Sequence, residues 1–390
     1  MVADQFITSY PTLFFGAGTL QSLAYQIIIY GNNVLIITGN KSFPNSLKSD
    51  VLSYIDNCDI KSSFETVLSE PDPELVDRIV NKYRNKKIDV IISIGGGSVI
   101  DAGKAISAML TVEDSIINYL EGVGTKTHPG SKIPFFAIPT TSGTGSETTK
   151  NAVISKVGIN GFKKSLRHDN FTPTVTLVDP VLTLSCPVEI TAASGMDAFT
   201  QLLESYVSTK ATAFTDKLAI TGLKKISQSL TEVVKNGNNI EARTNMSYAA
   251  MLSGITLTNA GLGVVHGFAS SIGGLFNVPH GIVCGTLMAD CNKITIENLL
   301  KHDPENIAIE KYLYVADIFL NNVETKTKEQ KLNEFINRLF EYTSELNLPR
   351  LSKFGIKESD FDRIIELTSN KNNPYTLNKN DLFEILKNRL

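Results

Sequence analysis

Up to about residue 185 the chain alternates short apolar runs with amphipathic stretches. "NVLIITG" (33–39), "DVIISIGGG" (89–97), "FFAIPTT" (135–141) and "TVTLVDP" (174–180) are each bounded or broken by glycine or proline. Continuous apolar runs separated by helical periodicity predict parallel strands covered on both faces by helices. From "CPVEITAASGMDAFTQLLESYVS" to Leu390 the strand signal disappears and apolar residues recur at helical spacing. The pattern predicts an α/β domain with a Rossmann-like parallel sheet over residues 1–185 and an all-helical domain over residues 186–390. The polar stretch Asn321 to Lys331, "NNVETKTKEQK", reads as a loop and a solvated helix start and not as a boundary.

At 390 residues the chain is long enough for two substantial cores. Its formal net charge of -3 provides no basic field, so nucleic acid is excluded as an expected partner. No run approaches the roughly 18 apolar residues of a membrane span, and the N-terminus lacks a signal-peptide pattern. No membrane partner and a cytoplasmic location are therefore expected. Cys58, Cys186, Cys284 and Cys291 form no C-x-x-C pair, which argues against a disulfide framework or a zinc knuckle. They read as small buried hydrophobes.

"DVIISIGGGSVIDAGKAI" sets Gly95, Gly96, Gly97 and Ser98 between a buried strand and a helix. Glycines there let backbone N–H groups approach a diphosphate at a helix N-terminus. The alternative is a tight turn with Ser98 as the helix cap. Neither G-x-G-x-x-G nor a Walker lysine fits. After the next strand, "IPTTSGTGSETT" (138–149) supplies a cluster of hydroxyls around two more glycines. Adjacent parallel strands would bring both loops to one carboxyl edge of the sheet, where ligands of such sheets sit. The competing reading, a loop capping its own helix, absorbs some of these hydroxyls but not all.

Two of the five histidines, His266 and His280, lie in the apolar, glycine-rich "GVVHGFASSIGGLFNVPHG" (263–281). They are either hydrogen-bonded core residues or members of a shared site.

With these segments in view, the chain resembles the iron-containing alcohol dehydrogenases, a group related to glycerol dehydrogenases and dehydroquinate synthase. The likeness rests on "GGGSVIDAGKA", "PTTSGTGSE", "VDPVLTLSCP", "GMDAFTQLLESYVS" and "HGFASSIGGLFNVPHG", in that order, and runs from "FFGAGTL" to "NPYTLNKNDLFEIL". It implies a dinucleotide-binding domain, a helical domain and a divalent metal, Fe2+ or Zn2+, in the cleft between them. Hydride would pass between a nicotinamide and a small alcohol or aldehyde, in a homodimer. Gly96, Gly97 and Ser98 would hold the pyrophosphate; Thr140, Thr141, Thr144 and Thr149 would line the cofactor; Lys163 would lie near its ribose. Many NAD-preferring members carry an aspartate where this chain has Gly39, with Lys41 and Ser42 close by. The resemblance therefore leans towards NADP, with NAD retained as the alternative.

The family fills its metal site with one aspartate and three histidines. Here the corresponding positions are Asp197, Gln201, His266 and His280, and the glutamine is a weaker, neutral donor. Asp197, His266 and His280 alone match the smaller zinc set of the glycerol dehydrogenase branch, with Gln201 as a fourth ligand or as a hydrogen-bond partner of the bound oxygen. The same three residues are the expected catalytic set. A further family histidine is replaced by Ser270, which leaves the proton path open. Asn151 and Phe268 are candidate pocket residues. Two rivals follow: a nucleotide-binding protein with a degenerate metal site, and a dehydroquinate-synthase-like lyase. The lyase is disfavoured because no Arg/Lys cluster adjoins Asp197 or His266.

Overall fold

The computed structural model describes residues 10–40, 42–320 and 324–390. The chain forms two compact units. One is made of the described part of Thr8–Lys156 with Lys163–Pro187, the other of Val157–Phe162 with the described part of Val188–Leu390.

In order, the first unit carries β1 (Thr12–Phe15), α1 (Leu23–Ile28), β2 (Asn33–Gly39), α2 (Asn45–Asp56), β3 (Lys61–Val67), α3 (Pro73–Tyr83), β4 (Val90–Gly95), α4 (Gly97–Met109), β5 (Phe135–Pro139), β6 (Asn151–Lys156), β7 (Phe162–Arg167) and β8 (Val175–Val178). Six strands form a parallel sheet in the order β1-β8-β5-β4-β2-β3. The inner strands are buried along almost their whole length, as their continuous apolar runs require. Val34, Ile36, Ile92, Ile94, Phe136 and Leu177 share one core with Leu23, Ile27, Val51 and Ile55 of the covering helices.

The edges were harder to read. β3, "KSSFETV", is a mostly polar strand with only Glu65 and Val67 buried, and β1 is four residues long with an exposed start. β3 lacks a continuous apolar run, and in β1 the run is only three residues, Leu13 to Phe15. The hydrogen-bonded pair β6 and β7 is a further addition to the all-parallel expectation.

Because the chain moves from β2 outward to β3 and then returns to the other side of β2 to form β4, the order of strand addition reverses between β2 and β4, all strands staying parallel. Thr38 of β2 lies opposite Ile94 of β4, so Gly39 and the Gly95–Gly97 turn share this switch point. Ligands of open α/β sheets bind at such a point.

The second unit is helical: α5 (Val188–Val207), α6 (Ala213–Lys235), α7 (Ile240–Ala260), α8 (Val264–Leu275), α9 (His280–His302), α10 (Ile307–Phe319), α11 (Lys328–Glu345), α12 (Phe361–Leu367) and α13 (Lys379–Asn388). Thr327 caps α11 through a reciprocal capping box with Gln330, so the end of the polar stretch is the solvated helix start expected of it. Phe268 is fully buried in a core with Ile272, Leu287, Phe361 and Ile385, which makes it a packing residue. Among the described residues no single helix is long and apolar enough to cross a membrane.

Candidate functional site

The α/β unit brings its two polar loops into contact. The N-cap of α4 is Gly96, which makes no side-chain capping bond; Ser98 lies inside the first turn and is not the cap. The Thr140 N–H donates to the Gly95 carbonyl at 3.0 Å. A β-carbon on Gly96 would stand 3.4 Å from Thr141 Oγ1, and one on Gly97 would overlap Thr144 at 2.6 Å. Gly97 is thus the position where the threonine loop passes too close over the helix start for a side chain, while a methyl at Gly96 would be in ordinary contact. Thr140 is buried, and its hydroxyl has no hydrogen-bond partner among the described residues. A buried, unsatisfied hydroxyl beside a helix N-terminus fits a ligand that brings its own polar atoms.

Other hydroxyls of the loop serve its own structure. Ser146 donates to Asp101, Thr148 to the Gly145 carbonyl, and Thr149 accepts from Lys104 Nζ at 2.9 Å. Lys163 is paired with both Glu70 oxygens at 2.6 and 2.7 Å, so a ribose would have to share that ammonium. Gly39 sits against Val99 and Ser42, leaving no carboxylate at the end of β2; Lys41 lies outside the described residues. Asn151 donates to Ser165 Oγ.

Beneath the loop, Lys104 is fully buried and also donates to the Ser146 and Asn151 carbonyls at 2.8 Å. Burial lowers its pKa to about 8. Burial likewise pushes the Glu147 carboxyl up, from 4.5 to about 7. Across that interval the folded chain holds a proton on Glu147 that the unfolded chain has released, so stability falls as pH rises through it. Thermal melts of Glu147→Gln should therefore show a shallower decline than the parent between about pH 5 and about pH 7. Parallel curves would mean that Glu147 does not carry this dependence.

The helical unit gathers a second set. On α5, Asp197, Gln201 and Glu204 follow at helical spacing and are all buried. His266 lies in the first turn of α8, and His280 opens α9. Asp197 Oδ1 is 3.4 Å from His266 Nε2 and 3.7 Å from His280 Nε2. One donor atom each from Asp197, His266, His280 and Cys284 lies within 4.8 Å of the other three.

Each histidine is followed by a glycine that lets its helix come close to a neighbour. A β-carbon on Gly281 would stand 2.5 Å from the Ala193 carbonyl oxygen of α5, and one on Gly267 would collide with the carbonyl oxygen of Ser369.

Two of these residues escaped the sequence reading. Glu204 Oε2 lies 2.6 Å from His266 Nδ1, while its Oε1 accepts the Val265 N–H at 2.7 Å. With Nδ1–H donated to Glu204, the ring would offer its Nε2 lone pair to a cation that displaces its second proton. Only the helical step from Asp197, seven residues earlier, hinted at this. Cys284, read as a buried hydrophobe, places its sulfur 3.6 Å from His266 Nε2 and 3.7 Å from His280 Nε2. Its signal was the four-residue interval from His280, which stacks the two side chains on one face of α9. Gln201 donates from its amide nitrogen to Asp197 Oδ1 at 3.2 Å, and its carbonyl accepts from Ser253 at 2.6 Å. Ser270 donates to the His266 carbonyl.

The electrostatics favour a cation. Burial alone would raise the Asp197 pKa, but His280 and His266 outweigh it and hold the carboxyl below its usual range. Burial would lower the His266 pKa, but Cys284, Glu204 and Asp197 outweigh it and hold the ring well above its usual range. The buried, ionised Asp197 carboxylate calls for positive charge in this pocket, and a divalent ion would meet that demand while both imidazoles act as neutral donors. One carboxylate, two imidazole nitrogens and a nearby thiol suit zinc or iron, not calcium or magnesium.

A family model described as iron-containing alcohol dehydrogenase matches residues 11–180, and a model of the C-terminal region of the same family matches residues 191–390. The NAD-dependent methanol dehydrogenase of Bacillus methanolicus is 31% identical, covering 97% of this chain and 98% of its own. The NADPH-dependent butanol dehydrogenase of Clostridium saccharobutylicum is 30% identical, covering 96% and 95% respectively. Among solved structures, the alcohol dehydrogenase from Oenococcus oeni superposes with a TM-score of 0.89 at 29% identity, covering 99% of this chain and 100% of that one.

Proposed function

We propose, from the premise that this chain belongs to the iron-containing alcohol dehydrogenase family, that it is a metal-dependent NAD(P)-linked oxidoreductase interconverting small alcohols and aldehydes. The observation that carries this reading is the convergence of Asp197, His266 and His280 from three helices. These three side chains would hold a divalent ion.

When bound, the ion supplies Lewis acidity toward an alcohol or carbonyl oxygen, and the nicotinamide supplies the hydride acceptor or donor. The protein's own contribution is positional. Asp197 stays ionised. Glu204 holds the proton of His266 at Nδ1, which fixes the ring's orientation and keeps Nε2 available. Gln201 steadies the Asp197 carboxylate through its amide N–H. In the α/β unit, backbone N–H groups of Gly97 and Ser98 at the start of α4 would bind the pyrophosphate. Thr140 Oγ1 would gain a partner there, and Thr141 and Thr144 would flank the cofactor. Ser270 carries no titratable group, so the alcohol proton would leave through water or a cofactor hydroxyl.

A role in the cytoplasm as a homodimer, with no nucleic-acid or membrane partner, belongs to the same proposal.

Cofactor choice rests on Gly39. A carboxylate at the end of β2 would accept from an adenosine 2'-OH and repel a 2'-phosphate, and this chain has none. Its relatives include one named for NAD and one named for NADPH. We favour NADP, with reduction of the aldehyde as the working direction. A β-carbon at residue 39 overlaps the Ser42 hydroxyl, which can rotate away. Gly39→Asp should shift the ratio of kcat/KM values towards NAD by about tenfold or more. An unchanged ratio would remove residue 39 from the argument.

The proposal as a whole is tested with chelated and metal-reconstituted protein, assayed on a panel of small alcohols and aldehydes with both cofactors. Activity that returns with zinc or iron supports it. Cofactor binding without turnover on any substrate would point instead to a nucleotide-binding protein.

A further inference from the structure

We propose that Cys284 is the fourth protein donor of the cation site, taking the position that Gln201 cannot fill, and that the site therefore prefers zinc to iron. This deepens the reading given above and rests on it.

Three observations combine. First, the Cys284 sulfur faces the same Nε2 atoms that face Asp197, at 3.6 and 3.7 Å. A tetrahedral set at the usual zinc–nitrogen and zinc–sulfur lengths has donor-to-donor edges of about 3.3–3.6 Å. The separations of Asp197 Oδ1 and Cys284 Sγ from the two Nε2 atoms, 3.4, 3.7, 3.6 and 3.7 Å, lie close to those edges, and all four donor atoms fall within 4.8 Å of one another.

Second, Gln201 is committed elsewhere. Its carbonyl accepts from Ser253, and the group turned towards Asp197 is its NH2, which has no lone pair to give. Turning the amide over would set its oxygen against the ionised Asp197 oxygen.

Third, Cys284 is fully buried and its sulfur faces both imidazole Nε2 atoms from within the cluster. Its position on α9, four residues after His280, puts both donors on one helix face with no backbone adjustment.

The chemistry of the set then changes. One carboxylate with imidazoles alone is a hard to borderline site that accepts iron readily. Exchanging one donor for a thiolate softens it and suits tetrahedral zinc. Departure of the sulfur proton accompanies ion binding, since the thiolate is the ligand form.

The experiment uses the full chain, stripped with a chelator and reloaded with Co2+ as a spectroscopic substitute for zinc. We expect one cobalt per chain and a sulfur-to-cobalt charge-transfer band in the near ultraviolet. Cys284→Ser should lose the band and bind cobalt at least about tenfold more weakly. Cys291→Ser, which changes the other buried cysteine, should keep the band. In competition, Cys284→Ser should also move the zinc-over-iron preference at least about tenfold towards iron. X-ray absorption on zinc-loaded parent protein needs no variant, and should show one sulfur neighbour at about 2.3 Å among nitrogen and oxygen neighbours at about 2.0–2.1 Å.

Cobalt bound one per chain without the band, a band that survives Cys284→Ser, or a zinc shell of nitrogen and oxygen alone would overturn the assignment of Cys284. Each would leave the dehydrogenase reading intact. Failure of the parent to take up any cobalt, with no metal-dependent turnover, would overturn both.

Discussion

Asp197→Asn should lower kcat/KM for alcohol oxidation by about three orders of magnitude and strip the protein of its metal, while leaving dinucleotide binding near its parental level. The substitution preserves shape and removes the charge. Asp197 is the ionised group that faces both Nε2 atoms, and a neutral amide there is a weak donor. Lewis-acid stabilisation is worth several kcal/mol, and each 1.36 kcal/mol is about a factor of ten in rate. The checks are steady-state kinetics, metal content, and quenching of bound NADPH fluorescence. A variant that keeps both its ion and its rate would show that the cation lies elsewhere or is dispensable.

Gly267→Ala should destabilise the protein and loosen the site without touching a donor atom. The added methyl meets the Ser369 carbonyl oxygen, a backbone atom that has little room to yield, so α8 must shift as a body. Overpacking of this kind costs about 1–3 kcal/mol. A melting temperature lower by several degrees is expected, and because His266 is the adjacent residue, weaker cation retention is expected with it. Equal melting and equal metal content would show that the close approach of α8 to Ser369 is not needed to aim the ring.

What the sequence made legible, and what it hid, divides along physical lines. The inner strands stand out because parallel strands buried on both faces must be continuously apolar, as "NVLIITG" and "FFAIP" are. β3 is hidden because an edge strand exposes alternate side chains to water, and "KSSFETV" then resembles a loop. Asp197, His266 and His280 are conspicuous because ionisable residues in apolar stretches need a reason to be there. Glu204 is not, since a glutamate in a long helix is ordinary, and only its partner sixty-two residues on gives it a task. Cys284 hides for the opposite reason: a buried cysteine is the commonest kind.

The donors ride on α5, α8 and α9, with two long helices, α6 and α7, between the first of these and the other two. No local stretch of chain can assemble them, so an ion captured there is captured only by the finished fold. Every increment of affinity is then an increment of resistance to unfolding, about 4 kcal/mol when free ion stands a thousandfold above its dissociation constant. Stripped of the proposed ion, the chain should then melt and be cleaved more readily than the loaded form.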